Sequence, residues 1–219
     1  MNKANIIHLV ATPSSAADLA AFLDAGAQLV ADTEPATRRW HALRREDRDG
    51  ELAIFDVFPN QAGRQAHFDG QVAAALRERA SDLVVGGWAG VLANNRNLVT
   101  LAEHRVDTER GVRKATFIAL KARPAKTAEL RAFLTAGCEL VAATEPDTLY
   151  WTALESEDRD GEFAIFDLFA DESGRAAHFA GRVAAALRER AEELVVGGWD
   201  QGVVANVVHF DVGESVDRS

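Results

Sequence analysis

Residues 53–68 read AIFDVFPNQAGRQAHF, and residues 164–179 read AIFDLFADESGRAAHF. The two stretches lie 111 positions apart, and the match extends well beyond them in both directions. An ungapped comparison of residues 31–90 with residues 142–201 gives 40 identities in 60 positions. The chain is therefore an internal duplication. Because the period is too long for a solenoid, each copy is predicted to be a complete domain.

Both copies follow one pattern of predicted elements. A short β-rich segment precedes a helix whose apolar residues recur every three or four positions. Two strands follow, joined by an Asp-Gly step that favours a hairpin. A second helix and a last strand complete the order β-α-β-β-α-β, the ferredoxin-like arrangement. The predicted bounds are 4–11 and 115–122 for the first strands, 149–155 and 162–169 for the second hairpin, 61–83 and 172–194 for the second helices, and 91–98 and 203–210 for the last strands.

The domain organisation follows from the same pattern. Repeat 1 is predicted to span residues 1–100 and repeat 2 residues 114–213, joined by a polar linker at 101–113. The segment 163–169 is apolar on both faces, which is typical of a strand that is covered on both sides. Helices can cover one face, and the sheet of the other repeat can cover the second. We therefore expect an α+β chain whose two sheets meet as an intrachain pseudo-dimer.

Composition excludes several classes of protein. The formal net charge of −10 argues against a nucleic-acid partner, because phosphate contacts need clustered Lys and Arg. No apolar run approaches the roughly 20 residues that span a bilayer, and no signal peptide is recognised. Cys138 is the only cysteine, which excludes an intrachain disulfide and a cysteine-rich metal site. A cytoplasmic protein without a membrane partner is expected.

Three motifs of the second copy carry a family resemblance. EPDTLYW at 145–151 leads into FAIFD at 163–167 and then into GRAAHF at 174–179. Together they resemble the antibiotic biosynthesis monooxygenase family of the dimeric α/β-barrel superfamily, almost end to end in each repeat. The resemblance implies an intrachain dimeric α/β-barrel, and it is compatible with a homodimer of such pseudo-dimers.

The same resemblance implies a function. It points to a cofactor-independent monooxygenase that uses dioxygen to oxidise a small aromatic compound, either quinol-like or anthrone-like. One alternative is a protein of the same fold that binds a small ligand or acts as a scaffold without catalysis. A further alternative is haem binding, since the wider superfamily includes haem-degrading enzymes. Fold alone does not decide among these functions.

His67 and His178 are the candidate catalytic residues. The resemblance places a histidine early in the second helix, near the pocket, where a neutral imidazole can take a proton from a phenol. On a regular helix, however, His67 lies about 150° from the centre of the apolar stripe and would face away from the core. Gly70 and Gly181 could break that regularity. A pocket role and a structural role both remain open.

The remaining candidate substrate-binding residues include three aromatic side chains. Trp40, Trp151 and Tyr150 lie on the second strand of each repeat, where aromatic residues either fill a core or stack on a flat substrate. Repeat 1 has Arg39 at the position of Tyr150, so the two pockets are expected to differ.

Asp56 and Asp167 each interrupt an apolar strand, where a carboxylate must be paired or must have a raised pKa. Pairing with Arg64 and Arg175, respectively, is the favoured interpretation, and a role as base is the alternative.

Asn95 and Asn206 match at the 111-residue offset on the predicted last strand. An asparagine there either orients a substrate oxygen or dioxygen, or marks a bulge or strand end. The other histidines have no partner in the second copy and no metal-ligand spacing, so no metal and no cofactor are predicted. They are His8, His41, His104 and His209.

Overall fold

The structure is a computed structural model that describes residues 1–106 and 110–218. Both repeats have the predicted order β-α-β-β-α-β, with short additional helical segments. Repeat 1 contains β1 (Lys3–Val10), α1 (Ala16–Thr33), β2 (Arg39–Arg45), β3 (Glu51–Phe58), α2 (Gln61–Phe68), α3 (Gln71–Leu83), α4 (Gly87–Ala93) and β4 (Asn95–Arg105). Repeat 2 contains β5 (Lys114–Lys121), α5 (Thr127–Thr144), β6 (Thr148–Ser156), β7 (Glu162–Phe169), α6 (Glu172–Phe179), α7 (Arg182–Leu194) and β8 (Val207–Asp217).

The eight strands form one closed barrel in the order β1-β3-β2-β8-β5-β7-β6-β4, which confirms the predicted α+β barrel class. Within each repeat the first and third strands pair antiparallel, as do the second and third. Asp-Gly turns join the hairpins, and Gly50 and Gly161 adopt positive φ, which glycine tolerates without steric cost. Residues 163–169 are all buried, as predicted for a strand that is covered on both faces.

The last strands are the main departure from the sequence prediction. They begin later than the predicted 91–98 and 203–210 and are longer, at 11 residues each. The chain divides by its contacts into one compact unit of Met1–Leu98 with Phe210–Ser219 and a second unit of Val99–His209. The reason is that β8 from Phe210 onward pairs with β2.

The predicted linker at 101–113 also needs correction. β4 extends to Arg105, so the first five residues of that segment are strand. The backbone N–H of Val106 donates to the carbonyl of Leu149, 2.9 Å away. Residues 107–109 of the predicted linker lie outside the described residues.

A helical layer covers the sheet of each unit. In the first, α1 buries Leu19, Leu23, Ala27 and Val30, spaced so that they share one helix face. Helix α1 ends at Thr33, just before Glu34-Pro35, because a proline disfavours helical backbone at the residue that precedes it. Helix α3 packs beside α1, and the equivalent helices of repeat 2 repeat this arrangement.

Candidate active site

A buried acid–histidine–acid cluster connects three elements of repeat 1. Nδ1 of His67 lies 2.5 Å from Oε2 of Glu34, and Nε2 lies 3.3 Å from Oδ2 of Asp56. The His67 and Asp56 side chains are 5% and 0% exposed, so neither charge is solvated. Glu34 follows α1, Asp56 belongs to β3 and His67 belongs to α2. The cluster therefore joins both helices to the sheet.

A break in the predicted second helix makes this arrangement possible. The helix expected over 61–83 is two helices, α2 and α3, separated at Asp69 and Gly70. Oε1 of Glu34 accepts the N–H of Val72 at 3.3 Å, and a Cβ at Gly70 would lie 2.6 Å from that oxygen. Because α2 turns away from the axis of α3, His67 faces inward. The regular-helix expectation, which would direct His67 away from the core, is wrong.

Repeat 2 has the same cluster. Nδ1 of His178 lies 2.5 Å from Oε2 of Glu145, and Nε2 lies 3.5 Å from Oδ2 of Asp167. Oε1 of Glu145 accepts the N–H of Val183 at 3.2 Å, and a Cβ at Gly181 would lie 2.6 Å from it. Both repeats therefore retain the cluster and the glycine whose missing side chain leaves room for the glutamate carboxylate.

The carboxylates set the protonation of both histidines. Burial alone would lower the pKa of His67, but Asp56 and Glu34 outweigh it and raise that pKa to about 9. The pKa of His178 is raised as well, because Asp167 and Glu145 outweigh burial. Burial raises the pKa of Asp167 to about 7 against the opposing effect of His178. His67 is therefore an imidazolium at neutral pH, and the pKa of His178 is shifted in the same direction.

The expected pairing of aspartate with arginine does not occur. Asp56 and Asp167 face the histidines, which supply the charge partner that a buried carboxylate requires. Nη2 of Arg64 instead donates to the carbonyls of Ala4 and Leu98, at 3.1 and 2.6 Å. Arg175 forms an ion pair with Glu172 on its own helix.

Repeat 2 encloses an apolar cavity of about 340 Å³ beside its cluster. The wall is mostly aromatic and aliphatic, and its polar groups include two imidazoles. Cavities of this size and lining are typical of small-molecule sites. The lining residues are Ile118, Trp151, Ile165, His178, Phe179, Val183, Ala184, Leu187, Trp199, Val203, Val204, Val207 and His209.

The corresponding cavity of repeat 1 is almost filled. It measures about 20 Å³ beside His67, between Trp40, Phe68 and Trp88. A separate open cleft of about 420 Å³ lies nearby, and its lining includes Arg64, Asn95 and Asn97. Equivalent regions of the two repeats thus differ in both volume and polarity.

One extra residue accompanies the difference. Residues 87–93 of repeat 1 form the α-helix α4, whereas Gly198–Val203 of repeat 2 form a π-helical turn followed by a 3-10 turn at Val204–Asn206. Gly90 and Gly202 are equivalent at an offset of 112, since a Cβ at either would lie within 2.4 Å of a carbonyl oxygen of the preceding loop. Single π-helical turns of this kind are frequent at functional sites.

The extra residue shifts the register of everything that follows. Asn206 therefore corresponds to Asn94, not to Asn95, and the predicted pairing of Asn95 with Asn206 is wrong. Asn95 accepts from the amide of Asn5 at 2.7 Å and lines the polar cleft of repeat 1. Asn206 donates to the carbonyls of Gln201 and Gly202, at 3.0 Å each, and closes the turn.

His209 is a cavity residue that the sequence interpretation missed. Its Nδ1 lies 3.0 Å from Oγ1 of Thr116, which is fully buried on β5. At the shifted register its counterpart is Asn97, and the counterpart of Thr116 is Asn5. Asn5 donates to Asn97 at 2.8 Å. In the sequence, Thr116 and His209 of repeat 2 stand where repeat 1 has Asn5 and Asn97. The match of His209 with Asn97 becomes visible only when the last strands are aligned at an offset of 112.

The predicted aromatic residues separate into two groups. Trp40 and Trp151 are 1% exposed, pack against Gly26 and Gly137, and each borders the cavity of its own repeat. Tyr150 is also buried, but its hydroxyl donates to Glu103 at 2.9 Å. Adjacent residues of a strand face opposite sides of the sheet, so Tyr150 does not share the cavity with Trp151.

The described residues lack two kinds of feature. Across residues 1–106 and 110–218, no group of three or more His, Cys, Asp or Glu side chains has an arrangement that could hold a metal ion. None of the helices in those ranges has both the length and the apolar character to cross a membrane.

Solved structures share this fold over the whole chain. A putative monooxygenase from Fusobacterium nucleatum superposes with a TM-score of 0.84 at 10% identity, covering 100% of this chain and 95% of that chain. A putative monooxygenase from Lactobacillus acidophilus gives 0.81 at 11% identity, covering 100% and 97%. An anthrone oxidase-like protein gives 0.62 at 12% identity, covering 98% and 92%.

At such low sequence identities, structural similarity establishes the fold alone. The three structures confirm the fold that the resemblance to the antibiotic biosynthesis monooxygenases predicted. No family model matches the sequence. No curated protein matches it either.

Proposed function

We propose that repeat 2 binds a small aromatic compound, quinol-like or anthrone-like, and that the chain oxidises it with dioxygen without a cofactor. The observation that carries this proposal is the apolar cavity of about 340 Å³ beside His178. Folds of this kind occur in proteins described as monooxygenases and as anthrone oxidase-like. The proposal assigns that chemistry to repeat 2 of this chain.

The cavity wall suits a flat apolar substrate. Trp151, Trp199 and Phe179 offer aromatic surfaces, and Ile118 and Ile165 complete an aliphatic side. Aromatic rings pack favourably in offset or edge-on contact with one another, so a ring system would be held in a defined orientation. The imidazoles of His178 and His209 are the polar side chains that border this cavity.

The reaction requires electron density on the substrate and exclusion of water. Removal of an acidic proton leaves an electron-rich anion that can transfer electrons to dioxygen. For an anthrone-like CH₂ group, one atom of dioxygen becomes the new carbonyl oxygen. The other atom leaves as water with the two hydrogens of that CH₂. An apolar wall protects such an anion from bulk water until dioxygen reacts.

His178 has a positioning role in this proposal. A general base must be unprotonated, whereas the pKa of His178 is raised by Asp167 and Glu145. Both of its ring nitrogens face carboxylates. The cluster anchors α6 so that Phe179, the next residue, presents its ring to the cavity. His67 has the same anchoring role in repeat 1.

Dioxygen uptake with a panel of quinols and anthrones tests the proposal. The variant Val204→Trp places a large ring at the cavity mouth, where Val204 is 49% exposed. Its matched control is Leu92→Trp, at the equivalent and equally exposed position of repeat 1. Metal-stripped wild type and the control are expected to consume dioxygen, and Val204→Trp is not.

The alternatives give different results. Binding of an aromatic compound without dioxygen uptake would favour the non-catalytic binding protein. Uptake that survives in Val204→Trp, or that is lost equally in Leu92→Trp, would contradict a site in repeat 2. A requirement for added haem would contradict the cofactor-free reaction.

A further inference from the structure

We propose that the open cleft of repeat 1 is a second ligand site, which binds a small aromatic carboxylate. The cleft of about 420 Å³ is distinct from the nearly filled cavity beside His67. The inference concerns a different repeat and a different class of ligand from the proposed oxidation, and it does not depend on that function. Its recognition residues are Arg77 and Asn95, which both line the cleft.

Arg77 supplies a positive charge at the cleft. Its guanidinium lies over the ring of Trp88, 4.8 Å from the ring centroid. Across residues 1–106 and 110–218, Arg77 forms no ion pair with a carboxylate. Stacking uses the face of the guanidinium and leaves the N–H donors at its edge. An arginine binds a planar carboxylate through two parallel hydrogen bonds from that edge.

The asparagines of repeat 1 add an oriented hydrogen-bond donor. Asn5 is fully buried, and its Nδ2 donates to Oδ1 of Asn95 at 2.7 Å and to Oδ1 of Asn97 at 2.8 Å. Nδ2 of Asn95 donates one hydrogen to Oδ1 of Asn97 at 3.2 Å. An amide NH₂ group carries two hydrogens, so Asn95 keeps a second donor for an acceptor atom in the cleft.

The charge and the aromatic surface of the cleft select the class of ligand. The guanidinium groups of Arg64 and Arg77 and the carboxylate of Asp69 line the cleft, which leaves one net positive charge. Asp69 opposes a second negative charge on the ligand. Phe68 and Trp88 offer aromatic surface beside these polar groups. A flat ring that carries one carboxylate matches this combination, whereas a neutral phenol lacks the charge.

Repeat 2 lacks this combination of groups. At the offset of 112, Val207 stands in place of Asn95 and lines the apolar cavity. Arg188 lies over Trp199 at a centroid distance of 5.8 Å, as the equivalent pair does in repeat 1. The stacked arginine is therefore common to both repeats, and the asparagine is not. Arg188 thus provides a matched control for the charge.

Equilibrium dialysis with benzoate tests the inference, and benzamide serves as its neutral isostere. We expect one molecule of benzoate to bind per chain at millimolar concentration or below. Benzamide should bind about tenfold more weakly, because a hydrogen bond to a charged group is stronger than one between neutral groups. Acetate has the charge but no ring, and it should also bind more weakly than benzoate.

Two substitutions in the cleft and one control locate the site. Arg77→Gln removes the charge and should weaken benzoate binding about tenfold. Asn95→Val installs the residue of repeat 2 and should weaken it about threefold, because a neutral donor is lost. Arg188→Gln should leave the affinity within about twofold of the wild type, since distant sites act independently. Arg77 and Arg188 are exposed, so both arginine variants are expected to fold, and urea unfolding curves check all three.

The indole N–H signal of Trp88 in a nuclear magnetic resonance spectrum gives a readout at the cleft itself. Benzoate is expected to shift this signal, which is identified by its absence in Trp88→Phe, and to leave that of Trp199 in place. A carboxylate bound to Arg77 changes the electrostatic field at the ring beneath it, which is the reason for the shift.

Several results would overturn the inference. They are no binding of benzoate at millimolar concentration, equal affinity for benzoate and benzamide, and unchanged binding in folded Arg77→Gln. A shift confined to Trp199, or an equal loss of affinity in Arg188→Gln, would assign the carboxylate to repeat 2 and overturn it as well.

Discussion

The two repeats have the same buried cluster but different cavities. In each, a glutamate, a histidine and an aspartate connect two helices to the sheet, with distances that agree to within 0.2 Å. Beside the cluster, repeat 1 leaves about 20 Å³ and repeat 2 about 340 Å³. Features that both copies keep therefore belong to the fold. Features that differ, such as the π turn and the large cavity, are the ones on which the proposed function rests.

The difference has a local cause. Repeat 2 has one more residue between its Gly-Gly-Trp motif and its last strand, and it folds that segment as a π turn. In repeat 1 the same segment is a regular helix, and Val91 on that helix borders the nearly filled cavity. The one-residue difference in length thus accompanies a nearly filled core in repeat 1 and an open cavity in repeat 2.

The largest expected effect is the loss of a cluster carboxylate. Glu34→Ala and Glu145→Ala each leave a buried histidine ring with one partner fewer and an unpaired N–H at the start of α3 or α7. Breaking a buried ion pair costs about 3–5 kcal/mol. We expect the two variants to lose free energy of unfolding by similar amounts in urea titrations. A large loss in one repeat with none in the other would show that the clusters are not equivalent.

The second effect is a fall in stability with rising pH. The pKa of His67 is about 9 in the folded chain and about 6.5 when unfolded, so the folded state binds the proton more tightly. The stabilisation is complete below pH 6.5 and is lost as pH rises through about 9, by about 3 kcal/mol at most. Urea unfolding at pH 6.5, 8 and 9.5 measures it.

In repeat 2, Asp167 makes the free energy of unfolding depend on pH in a lower range. The pKa of Asp167 is raised to about 7, so its contribution is present below its unfolded value near 4 and is lost as pH rises through about 7. Asp167→Asn should therefore flatten the stability curve between pH 4 and 7, and His67→Gln should flatten it between 6.5 and 9. Curves that do not respond to either variant would contradict these assignments.

The third prediction compares equivalent alanines on α3 and α7. Ala73 borders the nearly filled cavity and Ala184 the open one. Ala73→Phe should overpack repeat 1 and lower the free energy of unfolding by about 1–3 kcal/mol. Ala184→Phe has room for its ring and should change stability by less than about 0.5 kcal/mol. Equal losses in thermal and urea unfolding would contradict the difference in volume.

The smallest expected effect concerns Glu172. Its ion pair with Arg175 is partly exposed, and repeat 1 has Gln61 at that position, bonded to Arg64 at 3.2 Å. Glu172→Gln reproduces the repeat 1 arrangement, so a change of about 0–1 kcal/mol is expected. A larger loss in a double-mutant cycle with Arg175 would mean that this pair supports the helix that carries His178.

Periodicity and duplication predicted the element order and the barrel class, because buried strands and amphipathic helices leave repeating apolar patterns. They did not predict the start of the linker, because β4 extends to Arg105. The last strands pair beyond their own repeat unit, as β8 does with β2, and pairing of this kind leaves no local signal.

Sequence reasoning identified buried polar residues where the copies agree, and their role in a site stays a prediction. His67 and His178 were selected through the family resemblance, and Asp56 and Asp167 as carboxylates in apolar strands; each lies in a buried cluster. Their partners, Glu34 and Glu145, were missed because each precedes a proline and was read as a helix end. His209 was missed as a cavity residue because repetition was the criterion, and its equivalent in repeat 1 is Asn97.

The most direct test of the central claim is the stoichiometry of 4-nitrophenol binding, measured by equilibrium dialysis. A single ligand site in repeat 2 predicts one bound molecule per chain in the wild type and in Leu92→Trp, and almost none in Val204→Trp. Two molecules per chain, or binding that persists unchanged in Val204→Trp, would contradict the division of roles between the repeats.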